Sequence, residues 1–316
     1  MKTRLGFAGV GRWGLNLVNT ALALPGVEVA ATFDPDESRQ NVLPPGVPFS
    51  SSRSGLLQTG LDALIVASPP ASHTELALFG LDAGWDVFVE KPLAMDLSEA
   101  QLITDFADRR GRRVMVGHLM RYHPALLRLQ SLSGHLGRIK RISAVRHARP
   151  RSVDDTEDPW WALAVHDLTI AKSVAYARDV LDVRVFDRGD EVVGEFRCSD
   201  GARCEIRVGR RHDPSRYCVV EGSSGVATLR EQPGRADLRV DSATADAEES
   251  FDLVADPPLK AELSHFVDCL RRRLPFRSDG SDGVAAIRVL EAGDRSRQLG
   301  GTWISLTEEL AAAAAG

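Results

Sequence analysis

The residues Gly9-Val10-Gly11-Arg12-Trp13-Gly14 form the pattern G-x-G-x-x-G, directly after the apolar run Arg4 to Ala8 and directly before a stretch of helical periodicity, Arg12 to Ala23. Alone, a glycine turn of this spacing is weak evidence; between a strand and a helix it prescribes one arrangement. Gly9 permits the tight turn and Gly11 lets the backbone approach a diphosphate. Gly14 lets the helix pack on the strand, and the helix N-terminus faces the anion. Pro25-Gly26 stops that helix, Val27 to Phe33 reads as a second strand, and Asp34 at its end lies twenty residues beyond Gly14. A carboxylate there accepts hydrogen bonds from an adenosine ribose and repels a 2′-phosphate, so NAD is favoured over NADP. Arg39 follows closely, one turn into a helix and directed to solvent.

The same rhythm continues to residue 118. Strands are expected near Val47 to Phe49, at Asp62 to Ala67, at Asp86 to Val89 and at Arg113 to Gly117. Helices are expected at Ser72 to Ala83, with Ser72 as N-cap and Gly84 as the stop, and at Ser98 to Arg110. Six strands alternating with helices predict a doubly wound sheet of order 3-2-1-4-5-6. Beyond Gly117 the pattern changes. His123 to Ser131 and Trp160 to Tyr176 read as helices, the latter with Pro159 in its first turn, and Arg138 to His147 as a strand. A meander follows at Val183 to Phe186, Glu191 to Cys198, Ala202 to Val208, Arg216 to Glu221 and Val226 to Arg230. Helices at Pro258 to Arg273 and Asp282 to Gln298 close the chain, and Ala311 to Ala315 reads as a frayed end. The expected fold is therefore an α/β domain over 1–118, then an α+β domain over 119–316 with an open, mainly antiparallel sheet. In the strand Ala202 to Val208, Ala202, Cys204, Ile206 and Val208 alternate with Arg203, Glu205 and Arg207, giving one apolar and one charged face.

Composition removes several functions. The 316-residue chain carries a formal net charge of −5, which argues against a nucleic-acid partner, since that affinity needs a basic face. No apolar run approaches the roughly 20 residues of a membrane span, and the N-terminal stretch is too short and glycine-rich for a signal peptide. A cytoplasmic chain without a membrane partner is expected. Cys198, Cys204, Cys218 and Cys269 show no metal-ligand spacing, so no metal is expected and the thiols are read as reduced. Five of the 39 basic residues are lysines. A lysine in a chemically interesting place, such as Lys91, was not put there by bulk composition.

Several segments in order carry a resemblance. They are Gly9 to Asn16, Phe33-Asp34-Pro35, Ser68-Pro69-Pro70 with His73, and Glu90-Lys91-Pro92-Leu93. Val116 to Pro124, Leu136 to Ile139, Val165 to Leu168, Glu221-Gly222-Ser223 with Gly225, and Leu263 to Cys269 continue the series. Over most of its length the sequence resembles the Gfo/Idh/MocA oxidoreductase family. The resemblance implies an N-terminal Rossmann domain that binds dinucleotide. Its contacts would come from Gly9, Gly11, Arg12, Trp13, Gly14, Asp34, Ser68, Pro69, His73, Glu90 and Lys91. It implies that Lys91 reaches both the nicotinamide ribose and a substrate hydroxyl, where a desolvated lysine can exchange protons near neutrality. It implies that His166 serves as proton acceptor or substrate ligand, and that copies associate through the outer sheet face. A charged face makes such an interface polar and wet.

The chain also departs from the family pattern. Many members carry an aspartate one helical turn before the histidine; here that place is Ala162, and a glycine pair is replaced by Pro159-Trp160-Trp161. Asp155, Asp158 and Asp167 are candidate substitutes for the missing carboxylate. Trp160 and Trp161 either stack on a ligand ring or pack the protein. Arg121, Arg146 and Arg149 are further candidates, which would favour an anionic substrate. The expected activity is hydride transfer between nicotinamide and a sugar, cyclitol or related small hydroxy or keto compound. Two alternatives stand beside it: a catalytically silent NAD-binding regulator, and a glycoside-cleaving enzyme that oxidises, eliminates and re-reduces.

Overall fold

The computed structural model describes residues 2–150, 157–174, 180–211 and 213–307. Asp155, Ala311 to Ala315 and the last turn of the helix expected to reach Tyr176 lie outside the described residues. The chain divides into two compact units, Met1–Leu119 with Pro258–Ile287, and Met120–Pro257 with Arg288–Gly316.

The first unit opens with β1 (Thr3–Ala8), α1 (Arg12–Leu22), β2 (Val27–Phe33), β3 (Phe49–Ser50), α2 (Ser54–Leu57) and β4 (Ala63–Val66). It continues with α3 (His73–Asp82), β5 (Asp86–Glu90), α4 (Leu97–Arg110) and β6 (Val114–Gly117). Its six strands are all parallel in the order β3-β2-β1-β4-β5-β6, as expected. Strands β4, β5 and β6 are buried throughout, the mark of a sheet covered by helices on both faces. Two local expectations fail. Ser72 does not cap α3; its hydroxyl donates instead to Ser68 Oγ and Pro69 O. Helix α4 starts one residue early, because Asp96 accepts from the Glu99 amide at 2.8 Å and so takes the N-cap.

Helix α7 (Pro258–Arg272) belongs to this first unit, which a single boundary at 118 does not anticipate. The physical reason is the apolar stripe of Leu263, Phe266 and Val267. Phe266 packs edge-on against Phe88 of β5, with ring centres 5.6 Å apart, and α7 lies against α1. Arg271 fastens the other end, donating to Gly26 O at 2.5 Å and Thr3 Oγ1 at 2.9 Å.

The second unit contains α5 (Pro124–Leu132), β7 (Ile139–Ala148), and a π-helical turn (Trp160–Ala164) that runs into α6 (Val165–Val174). Strands β8 (Val180–Arg188), β9 (Glu191–Cys198), β10 (Arg203–Arg210), β11 (Arg216–Gly222) and β12 (Gly225–Gln232) follow. Then come β13 (Arg235–Ser242) and β14 (Ala245–Asp252), neither anticipated, and β15 (Ile304–Ser305) after α8 (Gly280–Gln298). The nine-stranded sheet runs β14-β13-β12-β11-β7-β10-β9-β8-β15 and is antiparallel except for β7 with β10.

Trp160 settles into this unit's core. It is 0% exposed and stacks on Phe196 at 6.3 Å; its Nε1–H donates to Leu290 O at 3.0 Å. Gly194 and Gly293 make room for it: a Cβ at either would approach the indole to 2.7 and 2.6 Å. Trp160→Ala is expected to destabilise this unit by about 3–5 kcal/mol, the range for emptying a large aromatic site. A urea titration followed by circular dichroism measures it. A loss under about 1 kcal/mol would contradict the packing described.

Candidate active site

The cofactor turn is built by three glycines with separate tasks. Gly9 has φ +93°, and a Cβ there would lie 2.5 Å from the Ser68 amide nitrogen. A Cβ on Gly14 would lie 2.0 Å from Gly9 O, so only glycine lets α1 seat on the turn. A Cβ on Gly11 would meet nothing within 4 Å, so the space beside this backbone is open to a ligand. Helix α1 begins with no side-chain cap and no acidic residue in its first turn. Its first amides and the positive end of its dipole are thus directed to an anion. Asp34 Oδ2 accepts from Val10 N at 2.9 Å and Oδ1 from Asp36 N at 3.1 Å. The carboxylate braces the turn and retains lone pairs for ribose hydroxyls. Arg39 is exposed and pairs with Asp36 at 3.2 Å, directed away as expected. These features fit a dinucleotide.

At the carboxyl ends of β4 and β5 stand Ser68, Pro69, Glu90 and Lys91. The buried His73 ring has its nitrogens 2.8 and 2.9 Å from the carbonyl oxygens of Pro92 and Ser68. Both nitrogens are engaged by the chain's own backbone, so His73 braces the Lys91-Pro92 turn, whose peptide is cis, rather than reaching outward. Burial holds its imidazole below the ordinary value. Glu90 also turns inward. Its Oε1 accepts from Trp13 Nε1 at 2.5 Å and its Oε2 from Lys91 N at 3.2 Å. A Cβ on Gly117 would meet the same carboxyl at 2.9 Å. Glu90 therefore positions Trp13 and the half-buried Lys91. Burial pushes its carboxyl up to about 7, against the pull of the Trp13 hydrogen bond and the Lys91 charge. Trp13 is 39% exposed and Arg12 is exposed.

In the second unit, His166 lies half-buried in the first turn of α6. Asp167, expected to face substrate, is instead 2% exposed, and Arg146 donates to both its oxygens at 2.9 and 3.1 Å. One helical position on from His166, it faces β7, where Arg146 also donates to Glu231 Oε1 at 3.4 Å. Arg146 is accordingly an interior partner, not a substrate-facing cation. Breaking such a pair from one side costs about 3–5 kcal/mol. Asp158 does not replace the missing carboxylate: it accepts from Trp160 N at 2.9 Å and from Arg297 Nη1 at 2.6 Å. Ala162 is buried, while Trp161 is half-buried with its Nε1–H donating to Asp294 Oδ2 at 2.6 Å. Arg121 is half-buried in the turn Leu119–Tyr122, and Arg149 is exposed. Among the described residues no group of three or more His, Cys, Asp or Glu is arranged to hold a metal ion, and no helix is long and apolar enough to cross a membrane.

Residues 3–118 match the family model described as "Oxidoreductase family, NAD-binding Rossmann fold". This N-terminal part is therefore similar to the NAD-binding domain of the Gfo/Idh/MocA oxidoreductases. It is similar to a UDP-N-acetylglucosamine 3-dehydrogenase of Acidithiobacillus ferrooxidans, with 26% identity covering 92% of this chain and 94% of the relative. It is similar to inositol 2-dehydrogenase 1 of Saccharopolyspora erythraea, with 27% identity covering 95% of each. In fold it matches an inositol dehydrogenase homologue from Azotobacter vinelandii, complexed with NADH and myo-inositol, at a TM-score of 0.82. That likeness has 18% identity and covers 96% of this chain and 98% of the other. Residues 3–118 thus have the fold of an NAD-binding oxidoreductase domain.

Sequence reading missed Glu262 altogether. It sits on α7 one turn before Phe266, in the buried stripe; the helical spacing from Phe266 was the signal that could have found it.

Two outcomes test this site. Asp34→Ser is expected to weaken NAD through the loosened turn and to relieve repulsion of a 2′-phosphate. The NAD/NADP affinity ratio should move by about tenfold or more toward NADP, roughly 1.4 kcal/mol, read by calorimetric titration. The second concerns Glu90. The unfolded chain releases this proton near the ordinary 4.5 and the folded chain near 7. The folded state thus binds more protons between these values, and stability falls as pH rises through that window. Thermal melts of wild type should show this slope, and Glu90→Gln should flatten it.

Proposed function

We propose that the chain transfers a hydride between NAD and the CH–OH carbon of a sugar, cyclitol or related small hydroxy or keto compound. The relatives' names support this substrate class. The observation that carries the reading is Lys91 at the carboxyl end of β5, with Glu90 beside it bonded to Trp13 of the dinucleotide helix. NAD, when bound, supplies the hydride acceptor. Lys91 takes the substrate hydroxyl proton during oxidation and returns it during ketone reduction. An amine can do this near neutrality when desolvated beside positive charge; a guanidinium cannot. His166, as the resemblance implies, orients the substrate or accepts its proton, and a histidine's ordinary value suits that task. Lys91 stands in a turn that His73 and Glu90 brace from α3 and β5, so geometry rather than strong acidity contributes much of the rate.

Lys91→Ala is expected to abolish turnover of a polyol or sugar panel while NAD binding stays within about tenfold, 1.4 kcal/mol. Normal turnover in that variant would remove Lys91 as proton carrier. Steady NADH accumulation separates this reading from the oxidation–elimination cycle, which consumes no net NAD. A silent NAD-binding regulator is favoured by Ala162, buried where many members carry an aspartate; any steady substrate-dependent NADH formation excludes it.

A further inference from the structure

The sheet of the second unit carries, on its charged face, a row of side chains that the proposed hydride transfer leaves unused. Strand register sets this row. Glu191 of β9 lies opposite Gly209 of β10, and Gly209 lies opposite His147 of β7. His147 N donates to Ser215 O at 2.7 Å. Ser215 thus extends by one residue the antiparallel pairing of β7 with β11, which starts at Arg216 and Arg146. Opposed residues share a face. Here it is the face of Arg203, Glu205 and Arg207, because Gly209 follows them at the two-residue period of β10.

Gly209 is what lets the row connect. A Cβ there would stand 2.8 Å from Asp190 O and 3.5 Å from His147 Cδ2; without one, the imidazole lies across β10. Its Nε2 is 2.8 Å from Glu191 Oε1, and its Nδ1 is 2.8 Å from Ser215 Oγ. Arg211 Nη2 lies 3.2 Å from the same glutamate oxygen and 2.8 Å from Asp190 Oδ1, so a guanidinium flanks the carboxylate. His147 is 4% exposed, whereas Ser215 is half-buried and follows the exposed Asp213 and Pro214. The ring is shielded while the hydroxyl is within reach of solvent.

The order of partners fixes the proton. A carboxylate only accepts hydrogen bonds, so in the neutral ring Nε2 carries the hydrogen and Nδ1 presents its lone pair. The Ser215 hydroxyl then donates to Nδ1. Nucleophile, base and the group that orients the base stand in line. That relation activates serine in unrelated folds, here with the two ring nitrogens exchanged.

We propose that Ser215, His147 and Glu191 form a second reactive centre, in which Ser215 accepts an acyl group from an activated ester. Ser215 Oγ attacks the ester carbonyl carbon while His147 Nδ1 takes the hydroxyl proton. The carbon–oxygen bond to the leaving alcohol breaks, and that oxygen receives the proton from Nδ1. An acyl-serine and a neutral imidazole remain. Ser215 and His147 are the catalytic residues of this step, and Glu191 is a positioning residue that holds the tautomer. The centre shares no residue with the NAD-dependent reaction proposed above and stands independently of it.

The test treats the full-length protein with p-nitrophenyl acetate and follows each acetylated peptide over time by mass spectrometry. Ser215 should be acetylated about a hundredfold or more faster than the exposed Ser199, the scale of general-base assistance. His147→Gln should remove that advantage. Glu191→Gln should cut it by about tenfold or more, because an amide can donate to Nε2 and leave the hydrogen on Nδ1. Long-range proton–nitrogen spectra of ¹⁵N-labelled protein read the tautomer: Nε2–H in wild type, Nδ1–H in Glu191→Gln. A loss of packing alone does not produce that exchange. Ser215 acetylated no faster than Ser199 overturns the proposal and leaves the row as a clamp on the segment before β11. So does an advantage that survives in His147→Gln, or a neutral wild-type ring with its hydrogen on Nδ1. A Glu191→Gln variant that keeps both the wild-type rate and the wild-type tautomer removes Glu191 from the centre. The wild-type rate and tautomer decide the outcome even if neither variant folds.

Discussion

Much of the first unit depends on one backbone approach, the seating of Gly14 against Gly9. A single Cβ at position 14 would reach 2.0 Å from the Gly9 carbonyl oxygen, a distance no side chain tolerates. That approach fixes the start of α1 relative to β1, and several other placements follow from it. The unencumbered amides of the first turn are aimed at one spot, and Trp13 is brought onto Glu90. Glu90 in turn holds the backbone of Lys91. A steric allowance in the turn is thus transmitted, through an indole and a carboxyl, to the amine assigned the proton transfer. In the proposed function, the dinucleotide turn and Lys91 are joined by two hydrogen bonds to one carboxyl, from the Trp13 indole and from the Lys91 amide.

Where the sequence was legible, period and punctuation were strong. The parallel sheet could be read strand by strand because its strands are short apolar runs buried on both faces, separated by helices with glycine stops. Gly84, with positive φ, ended its helix as its position implied, and Gly111 closes α4 in the same left-handed conformation. The paired cofactor features, Asp34 and the glycine turn, were legible because their spacing is set by one βαβ unit.

Apart from the two local caps at Ser72 and Asp96, the main failures concern partners distant in the chain. Amphipathic spacing shows that α7 has an apolar stripe, but not that the stripe belongs on β5 rather than on the nearer antiparallel sheet. The two readings of Trp160 were equal in sequence because Gly194 and Gly293, which make its slot, are remote residues with no local signature. Asp167 sits in a helical run beside His166, and only the register of β7 reveals that Arg146 faces it. The parallel pairing of β7 with β10 likewise has no local trace. Strand β13 did carry a signal, since Ala236, Leu238 and Val240 alternate inward. Strand β14, ADAEESFD, has a fainter one: Ala245, Ala247 and Phe251 share a face with Glu249, and no residue of the strand is buried.

That poverty of β14 has a consequence for how the protein behaves in concentrated solution. As the outermost strand of its sheet, it offers unsatisfied amides and carbonyls along its free edge, the usual template for runaway strand addition. Asp246, Glu248, Glu249 and Asp252 stud that edge with negative charge. Glu249 is held by Arg128 of α5 at 2.7 Å, which fixes a buttress to the last strand. The opposite margin is closed by β15, only two residues long. The sheet thereby ends in a charged strand on one side and a very short one on the other, both devices that discourage strand addition.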